Sequence, residues 1–277
     1  MHVSLWKKTA VVAVSALTAL AASACGTPSG SSETSKQPGV LELLASDLKG
    51  SLQKTVDATT KTNSVTVAMT GTAAGQKISM QGVLDLGEPV KAEMTRVDPD
   101  GDTTTIRMIG AVVYVEMPAT SRERMGGKRW MKMDLTALGE QTGMDFTKQF
   151  KDADPTKQVK TLLATEGVTV VGQETVNGAP TVHYTVTTPL AAYLGQLDAK
   201  LRADVEMEMT KQGVKEVKID VWVDEQYRPR RAATVMGNMG DVVVDYTDYG
   251  KAAAIEAPAA ADTADVAEML ESLTAGI

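Results

Sequence analysis

The fold class is decided by the stretch Val217-Lys218-Ile219-Asp220-Val221-Trp222-Val223-Asp224. Aliphatic residues occupy every second position, and polar or amphipathic residues stand between them. This period of two is typical of a strand with one buried and one solvated face. Residues 224–229 then form a turn, and residues 230–236 return, which predicts an antiparallel hairpin.

The same period recurs along most of the chain. It predicts about eleven or twelve strands, because turn residues such as Asn177-Gly178 separate the alternating runs. The inward-facing residues of the clearest runs are Val65, Val67 and Met69; Ile78 and Met80; Val90, Ala92 and Met94; Val205, Met207 and Met209; Val242, Val244 and Tyr246.

Helices are predicted in four places, and none of them produces a strand-helix-strand alternation. Leucines spaced three or four residues apart predict an opening helix over 41–56. The other three are expected within 136–166, where Asp154-Pro155 is a start signal, after Thr188-Pro189, and over 263–273. The chain therefore has an α+β plan, with one large antiparallel sheet and helices gathered on one face.

The N-terminus has the layout of a secretory signal. Lys7-Lys8 precede an uncharged run over 9–22, and Ser23-Ala24-Cys25-Gly26 follows. The uncharged run is about 21 Å long as a helix, which is short of the ~30 Å hydrocarbon core. Cys25 in this place is similar to a bacterial lipobox cysteine, although Ala22 stands where such boxes usually carry Leu.

Cys25 is the single cysteine of the chain, so an internal disulfide is excluded. We expect a signal peptide over 1–24, a diacylglyceryl group on Cys25, a flexible tether over 25–39 and a single domain over 40–277. The mature protein would then lie at the outer face of the cytoplasmic membrane, anchored by its acyl chains. A plain signal peptide with a chance cysteine is the alternative.

The charge of the chain excludes one class of partner. Loss of residues 1–24 leaves 26 cationic against 35 acidic side chains, a net charge of −9. Nucleic-acid binding requires clustered cations, so we expect no nucleic-acid partner.

The sequence offers no convincing catalytic or metal-binding set. His183 alternates with Val182 and Tyr184, so we interpret it as a histidine on the solvated face of a strand. Asp98, Asp100 and Asp102 lack the spacing of a calcium loop, and turn formation explains them. We therefore expect a non-enzymatic protein without metal or cofactor. The dense basic cluster Arg228, Arg230 and Arg231 could grip an anionic headgroup or simply keep a turn soluble.

Short motifs in a fixed order give the chain a family resemblance. It resembles the LppX/LprG-type lipoproteins of actinobacterial cell envelopes, which are structurally akin to the carriers LolA and LolB. After the lipobox and the opening helix, the motifs are Val113-Tyr114-Val115, Arg129-Trp130-Met131-Lys132-Met133-Asp134-Leu135, Gly172-Gln173-Glu174, Asn177-Gly178, His183-Tyr184, Trp222-Val223-Asp224, Arg228-Pro229-Arg230 and Ala257-Pro258.

The resemblance implies a half-barrel sheet curled over helices on its concave face, with an apolar cavity for acyl chains. It implies carriage of lipid or glycolipid, and an envelope lipid transporter as a possible partner. We expect the cavity lining to include Val65, Val67, Met69, Ile78, Met80, Met207, Met209, Ile219 and Val221. Met207→Trp should then block lipid uptake. The alternative is a structural or interaction lipoprotein whose core is filled.

Overall fold

The computed structural model of the chain describes residues 39–73, 75–98, 101–136, 155–195, 199–251 and 253–269. Its strands are β1 Ser64–Ala73, β2 Gln76–Asp85, β3 Lys91–Val97, β4 Thr103–Ile109, β5 Val112–Glu116, β6 Trp130–Asp134, β7 Thr169–Val176, β8 Ala179–Pro189, β9 Glu216–Asp224, β10 Pro229–Val235, β11 Gly240–Thr247 and β12 Thr263–Asp265. Its α-helices are α1 Val40–Ser46, α2 Leu48–Thr60, α3 Ala119–Arg122, α4 Thr156–Ala164, α5 Leu190–Leu194 and α6 Ala199–Lys211.

The described strands form one sheet built from two antiparallel meanders. The order across the sheet is β12-β6-β5-β4-β3-β2-β1-β11-β10-β9-β8-β7. Strands β1 to β6 form the first meander and β7 to β11 the second, and an antiparallel pairing of β1 with β11 joins them. Only β12 departs from this pattern, since it lies parallel to β6. The predicted α+β plan is confirmed.

The filled part of the core lies over strands β7 to β9 of the second meander. Val217, Ile219, Val221 and Val223 are all fully buried, as the alternation in β9 predicts. Helices α1, α4 and α5 pack against strands β7 to β10, and α2 packs against α4. The hydroxyl of Tyr184 in β8 donates a hydrogen bond of 2.7 Å to the carbonyl oxygen of Leu44 in α1.

The strand predicted around Val205, Met207 and Met209 is wrong. These residues lie in helix α6, where Met207 is 68% exposed and Met209 is buried. Alternation of Val and Met with Glu satisfies a strand pattern, but Ala, Leu, Met, Glu and Lys are strong helix formers. On a helix, residues two positions apart face different sides, so the two methionines separate.

Two helix predictions also need correction. The opening helix is two helices, because Asp47 caps α2 by accepting a hydrogen bond from the backbone N–H of Gly50 at 3.1 Å. The predicted helix over 263–273 begins instead with β12, and residues 266–269 are helical after it. The edge strand β12 has only three residues, which is too short to show a period in the sequence.

Several sequence predictions lie outside the described residues. They are the signal peptide, the lipidation of Cys25, the tether as far as residue 38, the helical region over 137–154, the Pro99-Asp100 part of one turn, and residues 270–273. In the described part of the chain, no helix has the length and apolar character that crossing a membrane would require.

Candidate functional site

An apolar cavity of about 420 Å³ lies between the centre of the sheet and two helices. Strands β1, β2, β3, β10 and β11 line one side of it, and α4 and α5 line the other. The lining residues are Val67, Met69, Met80, Leu84, Ala92, Met94, Lys157, Gln158, Tyr193, Ala232, Thr234, Met236, Val242, Val244 and Tyr246.

Strand pairing explains how distant residues reach this cavity. Met69 lies opposite Met80 on one side and opposite Val244 on the other, and Val244 lies opposite Ala232. Directly paired residues point to the same face of a sheet. The inward faces of the two meanders therefore meet at the β1–β11 seam and form one continuous apolar floor.

The structure places the residues proposed for the cavity lining in three environments. Val67, Met69 and Met80 line the cavity. Val65, Ile219 and Val221 are strand residues buried in the filled core, and Met209 is a residue of helix α6 that is also buried in the core. Ile78 and Met207 lie outside the lining, with Met207 exposed on its helix.

All five lining residues on β3 and β11 belong to runs whose alternation is visible in the sequence. Ala92, Met94, Val242, Val244 and Tyr246 were identified there as inward-facing residues but were not assigned to a cavity. Their assignment depends on which strands neighbour one another and on where helices leave space. No local pattern carries that information. The sequence places Tyr193 on the apolar side of the helix after Thr188-Pro189, and it gives no signal for Lys157 and Gln158.

The opposite face of the sheet carries a polar cluster in which His183 and Asp220 are buried, Trp222 is half-buried and Glu174 is exposed. The Nδ1 of His183 lies 2.9 Å from Glu174 Oε1, and its Nε2 lies 2.9 Å from Asp220 Oδ1. Trp222 stacks on the imidazole with ring centroids 4.1 Å apart and donates its indole N–H to Glu174. The interpretation of His183 as a solvated residue is therefore wrong, because it is 8% exposed.

This cluster joins the edge strand β7 to β8 and β9. Hydrogen bonds from Trp222 and His183 hold the pKa of Glu174 below its usual range. Burial alone would raise the pKa of Asp220, but the hydrogen bonds around it, from Lys218 and His183 among others, lower it. Both carboxyls are therefore ionised acceptors at neutral pH.

Replacement of His183 by Phe should lower the free energy of unfolding by about 2 kcal/mol, because buried Asp220 loses a donor while stacking on Trp222 is kept. Urea unfolding at pH 7 measures this loss.

The same comparison should depend on pH. The pKa values of the Glu174 and Asp220 carboxyls are lower in the folded state. The stabilisation that they provide is therefore complete above their unfolded pKa values and is lost as the pH falls. The difference between wild type and variant should shrink in that acidic range. A constant difference would show that ring packing, not hydrogen bonding, dominates.

The basic cluster divides in the structure. Arg231 makes a two-pronged ion pair with Asp245, at 2.7 and 2.9 Å, on the face that carries His183. Arg228 and Arg230 instead approach the buried carboxylate of Asp224 at 3.3 and 3.9 Å. None of the three lines the apolar cavity. Within the described residues, no group of His, Cys, Asp and Glu side chains is arranged to hold a metal ion.

Comparison with known proteins gives two sequence relatives from Streptomyces. The chain is 30% identical to an uncharacterized 31.2 kDa protein of Streptomyces griseus, encoded between rplA and rplJ. It is also 30% identical to a proposed lipoprotein of Streptomyces coelicolor. Each match covers 80% of this chain and 76% of the relative. No family model matches the chain.

Two solved structures share the fold. Lipoprotein LppX of Mycobacterium tuberculosis aligns with a TM-score of 0.50 and 15% identity, over 76% of this chain and 98% of LppX. LprF of Mycobacterium bovis aligns with a TM-score of 0.51 and 15% identity, over 77% of this chain and 97% of LprF. At this identity the likeness establishes the architecture, a half-barrel sheet with helices on its concave face.

Proposed function

Because the chain belongs to the family of its Streptomyces relatives, one of which is a proposed lipoprotein, and has the fold of the lipoproteins LppX and LprF, we propose that it binds acyl chains in its central cavity. The proposed ligand is a lipid or glycolipid, and the proposed role is to carry that lipid in the cell envelope. The protein acts without catalysis in this proposal. The observation that supports this proposal best is the apolar cavity of about 420 Å³. It lies between strands β3, β2, β1, β11 and β10 on one side and helices α4 and α5 on the other.

The energetics favour a long chain over a small apolar ligand. A buried methylene contributes ~0.8 kcal/mol, whereas association costs at least ~4 kcal/mol and up to ~15 kcal/mol. About five to nineteen methylenes are thus needed to offset the cost of association, and a long acyl chain supplies that number whereas a small apolar ligand does not. The cavity volume lies within the ~300–1,000 Å³ typical of ligand sites, so it can supply this contact.

The anchor completes the proposal. A diacylglyceryl group on Cys25 would hold the domain at the outer face of the cytoplasmic membrane, where lipid is available. Two acyl chains bind a bilayer far more firmly than a single chain does. Cys25 lies outside the described residues, so this part depends on the sequence and on the family.

Replacement of Cys25 by Ser tests the anchor and prepares the test of the cavity. When it is secreted behind an ordinary cleavable signal peptide in place of residues 1–24, the variant should leave the membrane fraction and become soluble, because the serine hydroxyl does not take the thioether-linked lipid. Immunoblotting of fractions measures this shift, with the lipidated wild type as control. A variant that stayed with the membrane to the same extent would contradict anchoring at Cys25.

Native mass spectrometry of that soluble variant then reports on the cavity, since any lipid present is bound without a covalent link. Organic extraction should release a lipid of defined mass. A clean apo mass that also resists added phospholipid would overturn lipid binding. That outcome would favour an interaction lipoprotein, whose partner could be sought among envelope lipid transporters.

A further inference from the structure

One end of the cavity is closed by a row of buried apolar residues. Leu84 in β2 pairs with Ala92 in β3, and both residues line the cavity. The row continues on either side with Val65 in β1 and Met108 in β4, and Val90 follows Ala92 on the same face. All five side chains are buried. Because paired residues share one face of a sheet, this row forms a packed wall across the end of the cavity.

The opposite end of the cavity is open to solvent. Met80 pairs with Arg96 across β2 and β3, so both side chains point to the concave face. Met80 lines the cavity, whereas the side chain of Arg96 is 53% exposed. Met236, which also lines the cavity, lies in the connection between β10 and β11, beside the exposed residues Gly237 and Asn238. A side chain that faces the concave side and is still exposed shows that water reaches the cavity here, and we call this end the mouth.

The volume of the cavity limits how much lipid it can hold. An engineered apolar cavity of about 150 Å³ binds benzene, which corresponds to about 25 Å³ for each carbon atom. At this ratio, a cavity of about 420 Å³ holds about 17 carbon atoms. One acyl chain of a membrane lipid has about this size, and two such chains would need about twice the volume.

The two ends of the cavity also differ in what they offer to a lipid. A headgroup placed at Leu84 and Ala92 would lose its hydration, and the buried row there offers it only apolar side chains. A headgroup at the mouth stays in contact with water. The chain should therefore enter the cavity with its terminal methyl group first.

From these observations we infer that the cavity is a blind pocket for one acyl chain of about 16 to 18 carbon atoms. The terminal methyl group lies at Leu84 and Ala92, and the headgroup stays outside the mouth at Met80 and Met236. The inference rests on the proposed function and names the class of ligand, namely lipids with a single chain. A fatty acid and a lysophospholipid share this chemistry. A diacyl lipid is excluded, because its second chain would remain in water.

Transfer from vesicles measures the capacity of the cavity. Vesicles of dioleoylphosphatidylcholine carry equal small amounts of tetradecanoate, hexadecanoate, octadecanoate, eicosanoate and docosanoate. The delipidated, soluble Cys25→Ser protein is incubated with them, separated and analysed by native mass spectrometry. Chains up to octadecanoate should be taken up to similar extents, because they exchange one apolar environment for another. Each methylene beyond the limit lies in water, so uptake should fall about fourfold for each added methylene. Phosphatidylcholine should stay in the vesicles.

A second set of vesicles distinguishes the two sources of a single chain. Hexadecanoyl lysophosphatidylcholine is present there beside hexadecanoate. Both should be taken up, because the headgroup lies outside the mouth, and their ratio shows which source the cavity prefers. Uptake of hexadecanoate without lysophosphatidylcholine would place the headgroup inside the cavity and overturn the orientation.

The other outcomes separate this inference from the proposed function. Uptake of phosphatidylcholine, or of docosanoate to the same extent as hexadecanoate, would overturn the blind pocket for one chain while lipid binding stands. Uptake of no lipid from either set of vesicles would overturn the proposed function itself.

A pair of substitutions in β2 tests which end of the cavity is closed. Leu84→Ala removes about three carbon atoms from the closed end, so the limit should rise by about three carbon atoms and eicosanoate should be taken up like octadecanoate. Met80→Ala is the matched control, because it removes as many heavy atoms from the same face of the same strand, but at the mouth. It should leave the limit unchanged. A limit that rises in Met80→Ala and not in Leu84→Ala would reverse the direction of entry.

The reciprocal substitution keeps the test independent of the stability of Leu84→Ala. Ala92→Leu adds about three carbon atoms at the closed end and fills space instead of creating it. The limit should fall by about three carbon atoms, so tetradecanoate should be preferred over hexadecanoate. An unchanged limit in a folded Ala92→Leu protein, as shown by circular dichroism, would overturn the inference.

Discussion

Met69→Trp should abolish most of the lipid binding while leaving the fold intact. Met69 lies in the centre of the cavity floor, between Met80 and Val244, and its side chain is only partly buried. The larger indole can thus enter empty space without displacing packed neighbours. Exclusion of about 60 Å² of ligand surface removes about 1.5 kcal/mol, a little more than tenfold in Kd. Competition native mass spectrometry with a fatty acid measures the loss.

Met207→Trp is the matched control for this prediction. The sequence alone assigned Met207 to the cavity, but the structure places it 68% exposed on α6. We therefore expect Met207→Trp to bind lipid like the wild type, with similar denaturant midpoints for both variants. Equal loss of binding in the two variants, or unchanged binding in Met69→Trp, would show that this cavity is not where lipid binds.

Gly82→Ala should destabilise the domain by about 3 kcal/mol, the upper part of the range for overpacked sites. A Cβ added to Gly82 would lie 1.9 Å from the carbonyl oxygen of Glu93 and 2.8 Å from the Cα of Met94. These are backbone atoms of the neighbouring strand, so relief requires β2 and β3 to move apart. Urea unfolding followed by circular dichroism measures the loss.

The control for this substitution is Gly87→Ala in the connection between β2 and β3. There the nearest atom to an added Cβ is the side-chain Oδ1 of Asp85, at 3.1 Å, which can rotate away. We expect a change within about 0.5 kcal/mol, as for ordinary surface positions. A Gly82→Ala protein as stable as the Gly87→Ala protein would contradict the close approach of the strands.

Gly82 also connects the curvature of the sheet with the presence of the cavity. It lies between Val67 and Met94 on the inward face, and the backbone of β3 and the Sδ of Met94 occupy the place that a side chain would take. Gly71, two residues beyond Met69, has a φ of +154°, and an added Cβ there would lie 2.0 Å from the carbonyl oxygen of Asp241. Glycines at such places permit strands to bend and approach closely. The seam between the two meanders can therefore curl instead of closing on a filled core.

The strands were the most predictable part of the fold. In β9 and β8, alternation identifies Val217 to Val223 and Tyr184 as inward residues because side chains on a strand repeat every two positions. The same rule misled for Met207, since a short run of alternating Val, Glu and Met also fits a helix made of strong helix formers. The alternation correctly predicts that His183 points away from the core, but the prediction that water surrounds it is wrong, because the Trp222 ring stacks on the imidazole.

The sequence by itself determined the antiparallel sheet with helices on one face, the family resemblance and the prediction of a lipid anchor at Cys25. These depend on local information, namely period, turn residues and the arrangement of a short motif. Only the tertiary structure decided that β1 lies beside β11, that the core is filled over β7 to β9, and that space remains over the neighbouring strands β3, β2, β1, β11 and β10. A cavity arises where segments that are distant in the sequence lie near each other without packing together. Its lining residues have the same apolar pattern as residues of a packed core, so no local pattern can distinguish the two.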